Sequence, residues 1–82
     1  MLTFEYDNGD QKLCIHGDAN GLLSLADVIR RLVEHTSEGK FDHAHLMTPN
    51  WGGMELTSEP QNPDAELIHH VKMYCWKGKQ PT

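Results

Sequence analysis

The sequence predicts an α+β two-layer sandwich, in which one helix packs on one face of a mostly antiparallel sheet of four to five strands. Three observations indicate this fold class. Alternating apolar and polar residues flank an Asn-Gly pair near the start, one stretch repeats apolar residues at helical spacing, and strand-like runs return in the second half. The predicted order is β-β-α-β-(β)-β, where the bracketed strand is short.

The first two strands are predicted within residues 2–6 and 11–15, on either side of Asn8-Gly9. Asn-Gly favours a two-residue hairpin loop because both loop positions need positive φ. With that loop, Phe4 faces Leu13 on the apolar side of the ribbon.

A helix follows, and Asp18 or Asn20 is a suitable N-cap for it. Gly39 is predicted to end it, because glycine readily adopts the left-handed conformation found after helix C-termini. The stripe predicted to face the sheet contains Leu22, Leu25, Ala26, Ile29, Leu32 and Val33. Leu23 and Val28 fall off this stripe and are predicted to be partly exposed or to cover the sheet edge.

The second half is predicted to contain a strand at residues 41–47, a short strand at 54–57 and a long last strand at 66–76. Residues 58–64 read as a proline-containing loop. We therefore expect a single domain over residues 1–76 and a frayed polar tail at residues 77–82.

The net charge of -5 arises from the middle of the chain. Between Lys40 and Lys72 there is no lysine or arginine, and the acids there are Asp42, Glu55, Glu59, Asp64 and Glu66. This argues against nucleic-acid binding, which needs clustered basic residues. An acidic surface suits a basic protein partner, although it also simply keeps a protein in solution.

The cysteines and the first residues predict a cytoplasmic protein. Cys14 and Cys75 are too few for a typical secreted disulfide scaffold, and both lie within predicted strands. The chain opens on a strand pattern without a signal-peptide pattern, and no apolar run is long enough to cross a membrane. We expect a monomer or a weak homodimer, with Leu2–Tyr6 or the last strand as the edge available for self-pairing.

Histidines are predicted to gather on the sheet face away from the helix. Strand alternation places His43 and His45 there, with His70, Tyr74 and Trp76 from the last strand and with His16 as a further candidate. Three interpretations remain open, namely a zinc site built from His43, His45 and His70, structural pairing across strands, and a surface that recognises a partner.

Trp51, followed by Gly52-Gly53, has two interpretations. Pro49 favours a stiff turn in which Trp51 plugs one end of the core, and the alternative is a loop that presents the ring to a partner. The glycine pair lacks the context of a phosphate-binding loop. The cysteines lie mid-strand, where they are unlike reactive cysteines, and no pair of carboxylates is positioned for hydrolysis. The sequence therefore predicts that the protein is not an enzyme.

A family resemblance accompanies these residues. The run Asp42-His43-Ala44-His45-Leu46-Met47-Thr48-Pro49-Asn50-Trp51-Gly52-Gly53, with Glu55-Leu56-Thr57 and Ile68-His69-His70-Val71-Lys72-Met73-Tyr74, resembles the immunity-protein 32 family of bacterial polymorphic toxin systems. The first strand and the Ile15-His16-Gly17-Asp18 segment fit as well, so that the resemblance covers nearly the whole chain.

The resemblance implies a cytoplasmic protein that binds a co-encoded toxin domain and blocks it without catalysis or a cofactor. An acidic protein of this kind would suit a nuclease toxin, whose substrate groove is basic. The residues predicted to bind the partner are Glu55, Glu59, Asp64, Glu66, His43, His45, His70, Tyr74 and Trp76. The alternative is a small zinc-binding protein that uses His43, His45 and His70.

Overall fold

The computed structural model describes residues 1–78, which form one α-helix, five strands and a short 3₁₀ helix at Pro49–Trp51. The elements are β1 (Leu2–Asp7), β2 (Lys12–Gly17), α1 (Ala19–His35), β3 (Phe41–Met47), β4 (Glu66–Ile68) and β5 (His70–Trp76). Within these residues the strands pair in the orders β2-β1-β4 and β3-β5, and every pairing is antiparallel. The predicted α+β sandwich is confirmed.

The β1–β2 hairpin forms, but the predicted two-residue loop and its register are wrong. Phe4 pairs with Ile15 instead of Leu13. The Asp7 carboxylate accepts a hydrogen bond from the Gly9 N–H at 3.1 Å, and this local bond stabilises a wider loop. Because the register moves by two residues, each side chain keeps its predicted face.

The helix begins after Asp18, which is one of the two predicted N-caps. The Asp18 Oδ1 atom accepts a hydrogen bond from the Gly21 N–H at 2.8 Å, the usual arrangement of an N-cap. The last helical residue is His35, so Gly39 does not end the helix and instead lies in the next turn with φ 76°.

The helix is rotated relative to the predicted stripe. Leu32 is buried, and Leu25 and Val28 pack against the core, so the prediction that Val28 lies off the buried stripe is wrong. Gly21 lets the helix lie against the first residue, because a Cβ atom there would lie 1.8 Å from the Met1 carbonyl oxygen and only glycine permits this approach. The predicted stripe residues left exposed are Leu22, Ala26, Ile29 and Val33.

Residues 54–57 do not form the predicted strand. Leu56 donates its N–H to the Met47 carbonyl oxygen at 3.2 Å, and Thr57 donates to that of Leu2 at 2.8 Å. These single bonds connect the start of β1 with the end of β3. Leu56 is also part of the buried core, together with Leu2, Phe4 and Leu46.

The predicted long strand at residues 66–76 is interrupted at His69. Ile68 and Val71 both pack against the core, although an unbroken strand would place them on opposite faces. Ile68 therefore lies on the core side, and the predicted outer positions of His70, Tyr74 and Trp76 in β5 are confirmed. The His69 carbonyl oxygen accepts the Thr48 N–H at 3.0 Å, which holds the interruption against the end of β3.

The chain end is ordered at least to Lys77, the first residue of the predicted tail. Lys77 donates its N–H to the Lys40 carbonyl oxygen at 2.9 Å and extends the β3–β5 pairing. Residues 79–82, where the rest of the predicted tail falls, lie outside the described residues. Within residues 1–78, no helix has the length and apolar character needed to cross a bilayer.

Candidate functional site

Seven rings cover the side of the β3–β5 pair that faces away from the core. Ala44 and Leu46 of β3 and the odd-numbered residues of β5 point inward, so the alternate residues of both strands point outward. We call the exposed set the ring face, and it consists of Phe41, His43, His45, Trp51, His70, Tyr74 and Trp76.

Aromatic rings form one half of the ring face. Phe41 stacks on Trp76 with ring centroids 4.6 Å apart, and Tyr74 lies 6.1 Å from Trp76. The Lys72 ammonium lies 5.0 Å from the centre of the Tyr74 ring, within cation–π range. Phe41 is 55% exposed and Tyr74 48%, so this half is open to solvent although its rings contact one another.

The ring contacts continue from Tyr74 across the sheet through three histidines. His43 lies 5.9 Å from Tyr74 and 4.9 Å from His45, measured between ring centroids. Nδ1 of His45 lies 2.7 Å from Nε2 of His70, so that one imidazole donates a hydrogen bond to the other. The predicted gathering of His43, His45 and His70 is confirmed.

The environment of His45 favours its neutral form. Desolvation lowers the pKa of His45 below its ordinary value, and the neighbouring His43, His70 and Lys72 lower it further. A neutral His45 can donate this hydrogen bond or accept it, according to its tautomer.

Trp51 completes the ring face, and the interpretation of Trp51 as a core plug is wrong. The side chain is 59% exposed and lies 6.0 Å from His70 and 6.5 Å from His69, nearly parallel to the latter ring. Gly53 holds the turn close to β3, because a Cβ atom there would lie 2.4 Å from the Met47 carbonyl oxygen. The indole therefore packs across the end of the sheet and not inside it.

Thr48 positions the His69 ring, which lies beneath Trp51. Its hydroxyl lies 2.7 Å from Nδ1 of His69, and its carbonyl oxygen accepts the N–H groups of Trp51 and Gly53. Thr48 is fully buried, so its hydroxyl has a structural role as a hydrogen-bond partner and is not presented to a substrate.

His16 belongs to a different surface. Nε2 of His16 lies 3.9 Å from a carboxylate oxygen of Glu5, on the outer side of β1 and β2. Glu5 is fully buried there, because the loop after β3 covers it and donates the N–H groups of Gln61 (3.0 Å) and Asn62 (2.9 Å) to its carboxylate. The prediction of His16 as a member of the histidine face is wrong.

The buried Glu5 carboxylate is held ionised by its partners. Burial alone raises the pKa of Glu5, but the hydrogen bonds from Thr3, Gln61 and Asn62 and the nearby His16 bring it below the ordinary value. This covered carboxylate has a structural role. Some of the predicted acidic residues, Glu59 and Asp64, lie in the loop that covers it.

The predicted acidic residues do not form one cluster with the ring face. Glu59, Asp64 and Glu66 are exposed in or next to the loop that covers Glu5. Glu55 uses its carboxylate within the chain, accepting the Met47 N–H at 3.1 Å.

A comparison with known protein families shows to which family the chain belongs. The family model described as immunity protein 32 matches residues 12–71, which include β2, α1, β3, β4 and most of the ring face. The chain belongs to the immunity protein 32 family. The resemblance predicted from the His43 to Gly53 run is thus confirmed. Searches of curated proteins and of solved structures gave no match.

Sequence reasoning missed Phe41 as a member of the ring face and left open whether Trp51 is exposed. Phe41 lies in the same alternation as His43 and His45, so the strand pattern contained the signal. Trp51 had no comparable signal, since its direction depends on the turn built by Thr48 and Gly53. Within residues 1–78, no group of three or more His, Cys, Asp or Glu side chains is arranged to hold a metal ion.

Proposed function

We propose that this immunity protein works in the cytoplasm, where it binds a cognate toxin domain and blocks it by direct contact without catalysis. Membership of the immunity protein 32 family supports this role. The ring face is the single observation that carries the choice of surface. The free thiols of Cys14 and Cys75 fit a reducing compartment.

The ring face has the composition of a protein-binding surface. Tryptophan and tyrosine dominate binding energies at protein interfaces, because they bury a large area with few rotatable bonds. Here Phe41, Trp51, Tyr74 and Trp76 are each at least 40% exposed while they contact neighbouring rings. A partner that covers them gains apolar burial without ordering free side chains.

The acidic residues have a second role in the proposal. Glu59, Asp64 and Glu66 are exposed and have no basic residue near them in sequence, so they attract a basic toxin from a distance. A nuclease toxin fits this charge because its substrate groove is basic. We assign tight contact to the ring face and faster encounter to the acids.

The first experiment measures binding to the purified toxin domain encoded beside the gene. The wild-type chain is expected to form a one-to-one complex and to restore growth of cells that make the toxin. Trp51→Ala and Trp76→Ala are expected to weaken binding by about 10- to 100-fold, as at interface hot spots. Leu23→Ala is the control, because Leu23 is 68% exposed on the helix and outside the ring face.

Equal binding by the tryptophan variants would move the contact away from the ring face. No binding by the wild-type chain would refute the proposed toxin partner. Metal analysis of the same purified sample tests the zinc alternative. Stoichiometric zinc that survives dialysis and is lost in a His43→Ala, His45→Ala variant would support that alternative.

The role of the acids is tested by association kinetics. Replacing Glu59, Asp64 and Glu66 with Gln, Asn and Gln removes three negative charges from exposed positions. The association rate is expected to fall several-fold at low salt, with a smaller difference at high salt and little change in dissociation. An unchanged association rate at low salt would remove the electrostatic part of the proposal.

A further inference from the structure

One side of β5 has no partner strand among residues 1–78. Backbone groups of a strand point alternately to its two sides, and Lys77 directs its N–H toward β3. By that alternation, β3 receives the hydrogen bonds of the backbone groups of Val71, Met73 and Cys75. The other side of the strand carries the backbone groups of His70, Lys72, Tyr74 and Trp76. In the described part of the chain β5 pairs only with β3, so this second side is open.

The open edge has little of the protection that edge strands usually have. It is seven residues long, contains no proline and no acid, and carries Lys72 as its only charged side chain. The Lys72 ammonium also lies against the Tyr74 ring. An edge of this kind favours pairing with another strand.

An apolar groove runs beside the same edge. Ile29 and Val33 of α1, each 45% exposed, face the inward side chains of Met73 and Cys75 across a shallow space of about 600 Å³. A strand added to β5 would lay its own inward side chains against this groove. Edge hydrogen bonds and apolar burial would then form together.

We propose that the occupant is a second copy of this chain, paired through β5 in antiparallel orientation about a two-fold axis. With the axis at Met73, Lys72 of one copy lies opposite Tyr74 of the other, and His70 lies opposite Trp76. All four of these residues direct their backbone groups to the open edge, so each pair satisfies the hydrogen-bonding pattern of an antiparallel ladder.

The charges favour this register over one centred on Lys72, and the facing Lys72 and Tyr74 side chains favour self-pairing. An axis at Lys72 would place two lysines directly opposite each other, which is unfavourable, whereas the axis at Met73 separates them and gives each a facing tyrosine ring. The pairing uses the strand edge and the groove, so both ring faces stay exposed on one continuous sheet. The dimer is therefore compatible with toxin binding, and its test does not depend on that function.

Sedimentation equilibrium of the full chain, without toxin, measures the dimerisation constant. The 9.3 kDa chain is expected to reach twice that mass as concentration rises. Tyr74→Lys places lysine opposite Lys72 twice in each dimer and is expected to weaken association by at least about 10-fold. Tyr74→Glu places opposite charges there and is expected to retain or strengthen association, while Leu23→Lys on the helix changes nothing.

Amide hydrogen exchange identifies the edge residue by residue. The N–H groups of Lys72 and Tyr74 are expected to gain protection as concentration rises, whereas those of Val71 and Met73 are protected at every concentration by β3. A chain that remains monomeric up to millimolar concentration would overturn the proposal. So would equal effects of Tyr74→Lys and Tyr74→Glu, or protection of the open edge only when the toxin is added.

Discussion

The outer sides of the two strand groups differ in what covers them. On β1 and β2, the loop after β3 closes over Glu5 and satisfies its carboxylate with backbone N–H groups. On β3 and β5, the rings remain open and mainly contact one another. Polar and titratable residues on one outer surface thus hold the fold together, and those on the other are available to a partner.

Glu5→Gln should produce the largest effect on stability, because it acts on the covered side. The amide would turn an N–H₂ group toward the donors of Gln61 or Asn62, leaving buried groups unsatisfied. We expect the free energy of unfolding to fall by about 3 kcal/mol, measured by urea denaturation. Glu66→Gln, at an exposed carboxylate, is the matched control and should change it by less than about 0.5 kcal/mol. Equal effects would remove the contrast between the two sides.

Lowering the pH should reduce the stability that the ionised Glu5 carboxylate provides. The pKa of Glu5 is lowered in the folded chain from its ordinary value of 4.5, so the folded state binds this proton less readily than the unfolded state. The stabilisation is therefore present above about pH 4.5 and is lost as the pH falls through the lowered pKa. The stability difference between wild type and Glu5→Gln should shrink as the pH falls below 4.5 and through the lowered pKa of Glu5. A constant difference would mean that ionisation of Glu5 does not stabilise the fold.

Trp51→Ala should have a smaller effect on stability than any change at Glu5. The indole is 59% exposed and packs on His69 and His70 without entering the core. We expect the free energy of unfolding to fall by less than about 1 kcal/mol in the same urea experiment. A loss as large as that of Glu5→Gln would show that the turn around Thr48 depends on the indole, and the ring face would then be part of the core.

The smallest expected effect is a shift in the titration of His45. Its pKa lies below the ordinary value of 6.5, first because of desolvation and then because of His43, His70 and Lys72. His43→Asn removes one of these causes and should move the His45 titration toward higher pH, as followed by NMR of the ring protons. His16→Asn should leave it unchanged, since His16 lies beside Glu5. Equal shifts in both variants would mean that the histidines of the two sides are coupled.

The sequence was sufficient to predict the fold class and the limits of β3 and to narrow the N-cap to Asp18 or Asn20, because each depends on local patterns. It was also sufficient to place His43, His45 and Tyr74 on one face, since alternation along a strand fixes that face. It was not sufficient for the helix rotation or for the contact of Gly21 with Met1 across the fold. The packing of Trp51 on His69 and His70 and the pairing of His16 with Glu5 likewise join residues distant in sequence.

The interruption at His69 makes the register of β5 independent of the chain that precedes it. Thr48 holds His69 through its backbone N–H and its hydroxyl, so β3 and Thr48 fix the register of β5, and β4 does not. A change of loop length within residues 58–65 would therefore disturb the cover over Glu5 but leave the pairing of β3 with β5 in place.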